Sequence, residues 1–371
     1  MLMHEDILGQ SLDQLKALML QRGQKPYRAK QLFEALHQQW VTDIQEITSF
    51  SKELRDSLSE SYSITQLEIT RVKVSSDGTR KYLIKTHDGH NIESVFIPNA
   101  ATDGRNTLCI SSQVGCAMGC KFCATAAMKL ARNLTAAEII GQVYAVNRDL
   151  RSVGWKNTAV ILESEPSEDA RMIHNLVYMG MGEPLHNYEN VLQSIKLLCA
   201  QEGQNYSGRR ITVSTSGIVK NITKLGADTN VHIAISFNAT TNAMRSEIMP
   251  VNKKWDLEAL VEACRAFPLQ TRRRITFEYV MLAGMNDTNE DAYRLIKWLS
   301  GIKCKVNLIP FNPHPLSPYK RPALERVKAF QHILLQHHFA VFIRGTRGDD
   351  IDAACGMLGA QKLEDARIAL N

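Results

Sequence analysis

The sequence predicts an α/β protein with three parts: a small N-terminal helical domain, an antiparallel β extension and a partial (β/α)6 barrel. Residues 1–65 have the apolar periodicity of helices, and residues 66–100 alternate apolar with polar side chains. Strand-like and helix-like segments then alternate over residues 101–345, which is typical of a parallel sheet with helical crossovers. Residues 346–371 are predicted to form a loop and a terminal helix.

Composition and charge narrow the class of protein. The chain is 44% hydrophobic and 22% charged, which is ordinary for a globular protein. Its net charge of +6 is compatible with a polyanionic partner without requiring one. We expect a cytoplasmic protein without membrane contact, because no secretory signal and no apolar stretch of membrane-spanning length are present. Eight cysteines in such a chain favour metal or redox chemistry over a disulfide scaffold.

The N-terminal domain is predicted to contain amphipathic helices. The first apolar stripe consists of Leu12, Leu15, Leu18 and Met19. The second begins after Pro26 and consists of Leu32, Phe33, Leu36 and Trp40. Two interpretations remain open, an independent small domain and a helical cap packed on the main domain.

Three strands are predicted in the β extension, at residues 66–74, 81–85 and 91–97. Asp77-Gly78 and Asp88-Gly89 lie between them, and Asp-Gly is a frequent turn pair in β-hairpins. The extension is therefore predicted to be antiparallel.

The barrel is predicted from strands that mostly alternate with helices. The strands lie at residues 175–179, 210–214, 231–236, 274–281, 305–309 and 340–344. Helices are predicted at residues 187–199, 257–267 and 290–299, and a capping box of Thr135 and Glu138 opens another. Such repeated units predict right-handed crossovers. The acidic segment at residues 156–171 is predicted to be an exposed loop.

Cys116, Cys120 and Cys123 form a C-x3-C-x2-C loop. Thiolates bind zinc and iron–sulfur clusters, and structural zinc usually has four protein ligands. The local set of three would leave one iron of a cubane open to a chelating ligand. Two alternatives are cysteines packed as small apolar residues and a zinc site completed from elsewhere in the chain. The close spacing and Gly119 favour the cluster.

Polar residues and glycines follow four predicted strands at their carboxyl ends, where parallel barrels bind ligands. They are Gly182, Glu183, Ser214, Ser236, Phe237, Asn238 and Asn312. Each group alone is typical of an ordinary strand–helix turn. Together, on one face with the cysteine loop, they predict a cofactor pocket.

Two further cysteines stand out. Cys109 lies in the strand that leads into the cysteine loop, and taken alone it is explained as a buried strand residue. Cys355 lies in an acidic segment bracketed by glycines, which is unusual for a core cysteine. The acidic neighbours expected to disfavour its thiolate are Asp349, Asp350 and Asp352. Three other cysteines are assigned to the core: Cys199, Cys264 and Cys304.

The cysteine loop resembles the signature of the radical S-adenosylmethionine (SAM) superfamily. A wider combination resembles the dual-specificity RNA adenine-C2 methyltransferases of that superfamily over residues 10–358. It comprises Cys109, the cysteine loop and segments 179–184, 210–217, 249–254 and 348–355. A related resistance family methylates carbon 8 of the same adenine and typically has alanine where this chain has Pro184. The resemblance therefore favours carbon 2.

The resemblance implies a radical SAM barrel and a role for each candidate residue. Cys116, Cys120 and Cys123 would hold a [4Fe–4S] cluster, and the strand-end residues named above would contact SAM. Cys355 would take a methyl group from one SAM, Cys109 would resolve the later adduct through a disulfide, and Glu93 matches the proton acceptor. Ser236-Phe-Asn238 departs from the family's serine–leucine–histidine, which leaves the contact made by Asn238 open.

The implied partners are 23S rRNA, at the peptidyl transferase centre, and tRNA, together with an electron donor such as flavodoxin or a reductase; the chain is expected to be a monomer. Basic residues expected to grip RNA are Arg209, Arg210, Lys253, Lys254, Arg272, Arg273, Arg274, Arg344 and Arg347. Two alternatives remain, methylation at carbon 8 and a non-catalytic iron–sulfur RNA-binding protein. The latter would not need Cys109 and Cys355.

Overall fold

The computed structural model of the protein describes residues 5–98, 104–155 and 171–359. The acidic loop predicted at residues 156–171 lies outside these ranges except for its last residue. The predicted terminal helix lies outside them as well.

The N-terminal part is helical, as predicted. It contains β1 (Glu5–Asp6), α1 (Leu12–Gln21), α2 (Tyr27–Glu34), α3 (Lys52–Ser59) and β2 (Tyr62–Ser63), and its two short strands pair in parallel. A capping box of Ser11 and Gln14 opens α1 and satisfies backbone N–H groups of its first turn. The predicted stripes face inward, with most of their residues fully buried.

The β extension consists of β3 (Glu68–Val74), β4 (Arg80–Lys85) and β5 (Asn91–Ile97), paired antiparallel. The two Asp-Gly pairs form its turns, and Gly78 and Gly89 have φ of +81° and +83° there, which favours glycine. The extension is continuous with the main sheet, because Val95 of β5 pairs with Cys109 of β6 (Thr107–Cys109).

The main sheet continues from β6 through six more parallel strands. These are β9 (Asn175–Tyr178), β10 (Ile211–Thr215), β11 (His232–Ser236), β12 (Ile275–Met281), β13 (Cys304–Pro310) and β14 (Val341–Ile343); β7 (Gln113–Val114) and β8 (Arg132–Asn133) form a separate hairpin. In space the order is β14-β13-β12-β11-β10-β9-β6-β5-β4-β3, so the sheet is open at β14 and β3. The predicted partial barrel is confirmed.

Helices cross between the parallel strands and complete six strand–helix units before β14. They are α4 (Ala124–Ala127), α5 (Ala136–Ser152), α6 (Tyr188–Cys199), α7 (Val219–Asp228), α8 (Asn242–Ile248), α9 (Leu257–Arg265), α10 (Asn289–Leu299) and α11 (Leu324–Gln336). The predicted capping box of Thr135 and Glu138 opens α5. Within the described ranges, no helix is long and apolar enough to cross a membrane.

The N-terminal helices pack on α5 through a buried polar contact. His37, in the π-helical turn after α2, is fully buried, and its Nδ1 lies 2.8 Å from the Tyr144 hydroxyl. The Trp40 ring stacks on Tyr144 with 6.1 Å between centroids. Among the residues that the structure describes, none is a hydrogen-bond partner of the His37 Nε2. Burial lowers the pKa of His37 from 6.5 to about 3, so the folded protein keeps this imidazole neutral.

His37 should make the fold less stable as the pH falls from 6.5 towards 3, because the unfolded chain then binds a proton that the buried imidazole does not. Between about pH 8 and pH 5 we expect a loss of about 2 kcal/mol from this residue. In His37→Gln that part of the pH dependence should disappear, as measured by urea unfolding at both pH values. The control is His332→Gln, at an exposed position of α11; an unchanged pH dependence in His37→Gln would contradict this account.

Candidate active site

The cysteine loop is fixed between β7 and α4 by backbone contacts. Gly115 has φ of +76°, and a Cβ there would lie 1.7 Å from the Lys129 carbonyl oxygen, so only glycine fits. The Cys116 N–H donates to that same carbonyl over 3.2 Å. The Lys121 N–H donates to the Ile248 carbonyl over 3.0 Å, which joins the loop to the end of α8.

The spacing of the three thiols favours a cluster over a single metal ion. The sulfur atoms of Cys116, Cys120 and Cys123 do not all lie within 4.8 Å of one another. A tetrahedral zinc ion with Zn–S bonds of about 2.3 Å would hold its sulfur atoms about 3.8 Å apart. The wider spacing suits a cubane, in which each thiolate binds a different iron.

The burial of the three thiols is also consistent with a bound cation. Desolvation raises the pKa of Cys116 to about 12 and raises those of Cys120 and Cys123 as well. A bound metal centre deprotonates such thiols by offsetting the charge of their thiolates. The donor set therefore fits a [4Fe–4S] cluster.

Gly182 and Glu183 follow β9 and lie beside the cysteine loop's entry strand. A Cβ on Gly182, whose φ is +98°, would lie 2.5 Å from the Gln113 side chain. The buried Glu183 carboxylate accepts from the Ser216 N–H over 2.7 Å and from the Leu185 N–H over 3.0 Å. Burial raises the pKa of Glu183, and these hydrogen bonds oppose the shift. The carboxylate thus joins the carboxyl ends of β9 and β10.

Ser214 and Ser236 are half-buried residues near the carboxyl ends of β10 and β11. Asn312 follows β13, and its Nδ2 donates to the Cys355 carbonyl over 3.3 Å. Its Oδ1 accepts from Arg321 over 2.5 Å and from the Thr346 hydroxyl over 3.1 Å. Asn312 therefore joins the predicted SAM region to the segment that carries Cys355.

The side chains of Phe237 and Asn238 are used within the fold. Phe237 is fully buried and packs edge-to-face on Phe277, with 5.7 Å between centroids. Asn238 has φ of +57°, in the left-handed region that asparagine tolerates. Its Oδ1 accepts from the Val280 N–H over 2.8 Å, and its Nδ2 donates to the Met249 sulfur over 3.2 Å. The departure from histidine thus has a structural role, because both polar atoms of the Asn238 side chain are bonded within the fold.

Residues 348–359, here called the Cys355 loop, dock on the β extension. The Lys81 ammonium donates to the Asp352 carbonyl over 2.9 Å, and the Gly359 N–H donates to the Glu93 carboxylate over 3.1 Å. The Ser75 hydroxyl donates to Asp350 over 2.5 Å. The Cys355 loop is thereby fastened to β4, to β5 and to the turn that precedes β4.

The Cys355 loop also contacts the cysteine loop directly. The Ala124 N–H, next to Cys123, donates to the Gly356 carbonyl over 2.8 Å, and the Thr125 hydroxyl donates to the Leu358 carbonyl over 2.7 Å. These bonds place Cys355 beside the cysteine loop, although more than two hundred residues separate the two in sequence.

Cys109 and Cys355 are free thiols in contrasting surroundings. Cys109 is buried at the end of β6, and Cys355 is exposed. Burial raises the pKa of Cys109, and the nearby Cys355 raises it further. Protein groups surround the Cys355 thiol closely enough for desolvation to raise its pKa, and the Glu278 carboxylate adds to this while Arg344 opposes it. The expected rise is present, but the charged group that adds most to it is Glu278 rather than an adjacent aspartate. Asp350 bonds to the β extension instead.

Glu93 lies on β5 opposite a buried lysine. The Lys81 Nζ is 3.9 Å from the Glu93 carboxylate, and each side chain is 6% exposed. Burial raises the pKa of Glu93 and lowers that of Lys81, and each charge opposes the shift in the other. The sequence analysis missed Lys81, because Tyr82 and Ile84 face the core and Lys81 is on the other face of β4, which the Cys355 loop contacts.

The basic residues predicted to grip RNA divide between the two ends of the sheet. Arg209 and Arg273 both lower the pKa of His232, at the start of β11, so they lie at the amino ends of the strands, away from the site. On the site's side, Lys254 lines a cleft of about 360 Å³ whose wall includes Met118 of the cysteine loop. Arg344 lowers the pKa of Cys355, so it too lies on the site's side of the sheet.

Two family models match the chain. Residues 5–64 match the ribosomal RNA large subunit methyltransferase N-terminal domain, and residues 110–296 match the radical SAM superfamily.

Full-length relatives match as well. The chain is 46% identical over 353 residues to the dual-specificity RNA methyltransferase RlmN of Geobacter sulfurreducens, covering 95% of this chain and 91% of that protein. It is 47% identical over 354 residues to the dual-specificity RNA methyltransferase RlmN 2 of Myxococcus xanthus, covering 95% and 90%.

A solved structure of similar fold is the radical SAM methyltransferase from Sphaerobacter thermophilus. It has a TM-score of 0.86 at 39% identity, and the match covers 96% of this chain and 99% of that one. These comparisons confirm the resemblance found in the sequence. The chain therefore belongs to the RlmN family of dual-specificity RNA methyltransferases, within the radical SAM superfamily.

Proposed function

We propose that this enzyme methylates carbon 2 of an adenine in 23S rRNA and of an adenine in tRNA, through a methyl group carried on Cys355. The observation that carries the proposal is the placement of Cys355 and Cys109 together beside the cysteine loop. Carbon 2 lies between two ring nitrogens and is electron-poor, so it does not attack a methyl cation donor. A carbon radical adds to it readily. This difference explains why the methyl group would travel through a cysteine.

Cys116, Cys120 and Cys123 would hold the [4Fe–4S] cluster, and an electron donor such as flavodoxin or a reductase would reduce it. Backbone and side-chain groups of Gly182, Glu183, Ser214, residues 236–238 and Asn312 would surround SAM. When bound, the cluster and SAM supply a carbon-centred radical that can take a hydrogen atom from a methyl group on sulfur. The chain's own task is to place that sulfur, and the contacts of the Cys355 loop support this role.

Cys355 would be the methyl carrier because it is the exposed thiol on the docked loop. Its raised pKa keeps it protonated at neutral pH, so methylation requires loss of that proton as SAM binds. Arg344 is the described group that favours its thiolate. Because Asn312 bonds to the Cys355 carbonyl, the predicted SAM region and the acceptor sulfur are coupled.

Cys109 would release the product. Addition of the methylene radical would join carbon 2 to the Cys355 sulfur through a CH2 group and leave one unpaired electron on the adenine ring. Loss of that electron to a one-electron acceptor, for which the oxidised cluster is suited, and of the carbon 2 proton to Glu93 would restore the aromatic ring. Attack of the Cys109 thiolate on the Cys355 sulfur forms an S–S bond and breaks that C–S bond. The electron pair stays on carbon, which takes a proton to complete the methyl group. An external thiol then reduces the disulfide.

Glu93 would accept the proton that leaves carbon 2. A carboxylate must be ionised to do this, and the Lys81 ammonium 3.9 Å away favours the ionised form against the effect of burial. The hydrogen bond from Gly359 couples this base to the Cys355 loop.

Reconstituted enzyme with SAM and a one-electron reductant should place a methyl group on carbon 2 of adenine in both rRNA and tRNA transcripts. Mass spectrometry of the digested nucleosides locates the group. Cys355→Ala should give no product, because the carrier is lost, while Cys199→Ala at the end of α6 should keep wild-type turnover. A methyl group on carbon 8, or product from Cys355→Ala, would contradict the proposal.

The resolving role of Cys109 makes a separate prediction. Cys109→Ala should methylate Cys355 and attack RNA but then stop, so turnover should fall to about one or less per enzyme and a covalent protein–RNA species should accumulate. A denaturing gel with labelled RNA detects that species. Cys264→Ala, which removes another buried cysteine, is the control and should release product. Repeated turnover by Cys109→Ala would show that this residue only packs in the core.

A further inference from the structure

Arg245 of α8 is a fully buried arginine whose hydrogen bonds all go to uncharged groups. Its Nε donates to the Phe237 carbonyl over 3.0 Å, and its Nη2 donates to the carbonyls of Ser216 and Ser236 over 2.7 and 3.1 Å. Its Nη1 donates to the Asn252 side chain over 3.1 Å. Three backbone carbonyls at the carboxyl ends of β10 and β11 thus converge on one guanidinium.

No carboxylate in the described ranges forms an ion pair with Arg245. Buried charges are normally paired, because desolvation of an isolated charge is costly. Desolvation lowers the pKa of Arg245 to about 10, and the groups that oppose this shift are the thiols of Cys120 and Cys264.

The helix that carries Arg245 also contacts the cysteine loop. The Lys121 N–H donates to the Ile248 carbonyl at the end of α8 over 3.0 Å, and Cys120 packs on an apolar cluster that includes Ile248 and Met249. The positive charge of Arg245 therefore lies close to the proposed cluster ligands.

We propose that Arg245 is a positioning residue that provides the positive charge for the cluster and holds the two strand ends where SAM binds. A cluster held by three thiolates is anionic, and one-electron reduction adds a further negative charge. A buried guanidinium nearby stabilises the reduced form more than the oxidised form. The inference rests on the proposed cluster, but the charge and the hydrogen bonds of Arg245 are properties of this chain.

Two substitutions test the charge and the hydrogen bonds of Arg245 separately. Arg245→Lys keeps the charge but loses the planar fork that reaches three carbonyls, whereas Arg245→Gln loses the charge. The matched control is Arg273→Gln. Arg273 is also buried and donates to a backbone carbonyl, that of Asn230, but it lies at the amino ends of β11 and β12.

The experiment is a redox titration of the reconstituted holoproteins, followed by absorbance and electron paramagnetic resonance, with SAM affinity measured separately. Arg245→Gln should shift the reduction equilibrium at least tenfold towards the oxidised cluster, which corresponds to about 59 mV for one electron. Arg245→Lys should stay within about threefold of wild type in that equilibrium but bind SAM about tenfold more weakly. Arg273→Gln should match wild type in both.

Equal reduction equilibria in wild type and Arg245→Gln would overturn the proposal. If Arg245→Gln takes up no cluster, Arg245→Lys decides: a near-wild-type equilibrium supports the role of the charge, and a shift of more than tenfold overturns it. A wild-type protein that binds no cluster would instead contradict the proposed function, so the two failures are distinguishable.

Discussion

Hydrogen bonds with the β extension, the cysteine loop and Asn312 hold the Cys355 loop, and the proposed chemistry depends on them. The loop has little regular structure, only a 3-10 turn at Asp349–Ile351, so its position is set by what it contacts. Lys81 and Glu93 fasten it to the β extension, and Ala124 fastens it to the cysteine loop. The β extension is in turn continuous with the barrel sheet at β6. One continuous sheet thus positions Cys355 and Cys109 relative to the cysteine loop.

Burial of charge is the second constraint on this site. Desolvation shifts the pKa of Glu93, Lys81, Glu183 and the cluster thiols away from their charged forms. Paired charges, backbone hydrogen bonds or a bound metal centre must offset this cost. Lys81 does so for Glu93, two N–H groups do so for Glu183, and the proposed cluster would do so for the thiols. The electrostatics of the site therefore depend on what is bound.

Periodicity and turn chemistry were sufficient to predict the sheet, the hairpins and the capping box of α5, because each depends on residues close in sequence. The cysteine loop could be predicted for the same reason, because its three cysteines are close in sequence. Lys81 and Arg245 could not be found this way, because a lysine or arginine is buried only through partners far away in the chain. The aspartates of the Asp349–Asp352 segment were wrongly expected to raise the pKa of Cys355, for the same reason. Asp350 bonds to Ser75, and the carboxylate that raises this pKa is Glu278 of β12. The arginines just before β10 and β12 lie at the amino ends of those strands, and the site lies at the carboxyl ends. Strand direction alone therefore places these arginines at the opposite end from the site.

The measurement that tests the central claim most directly is the deuterium content of the product methyl group. Enzyme purified without prior methylation is supplied with SAM whose methyl group carries only deuterium. Because the proposed route removes one hydrogen from a methyl group on Cys355 and later adds one from solvent or an acid, the product methyl group should carry two deuteriums, with the third in 5′-deoxyadenosine. A product methyl group with all three deuteriums would mean direct transfer to the base and would contradict the role of Cys355.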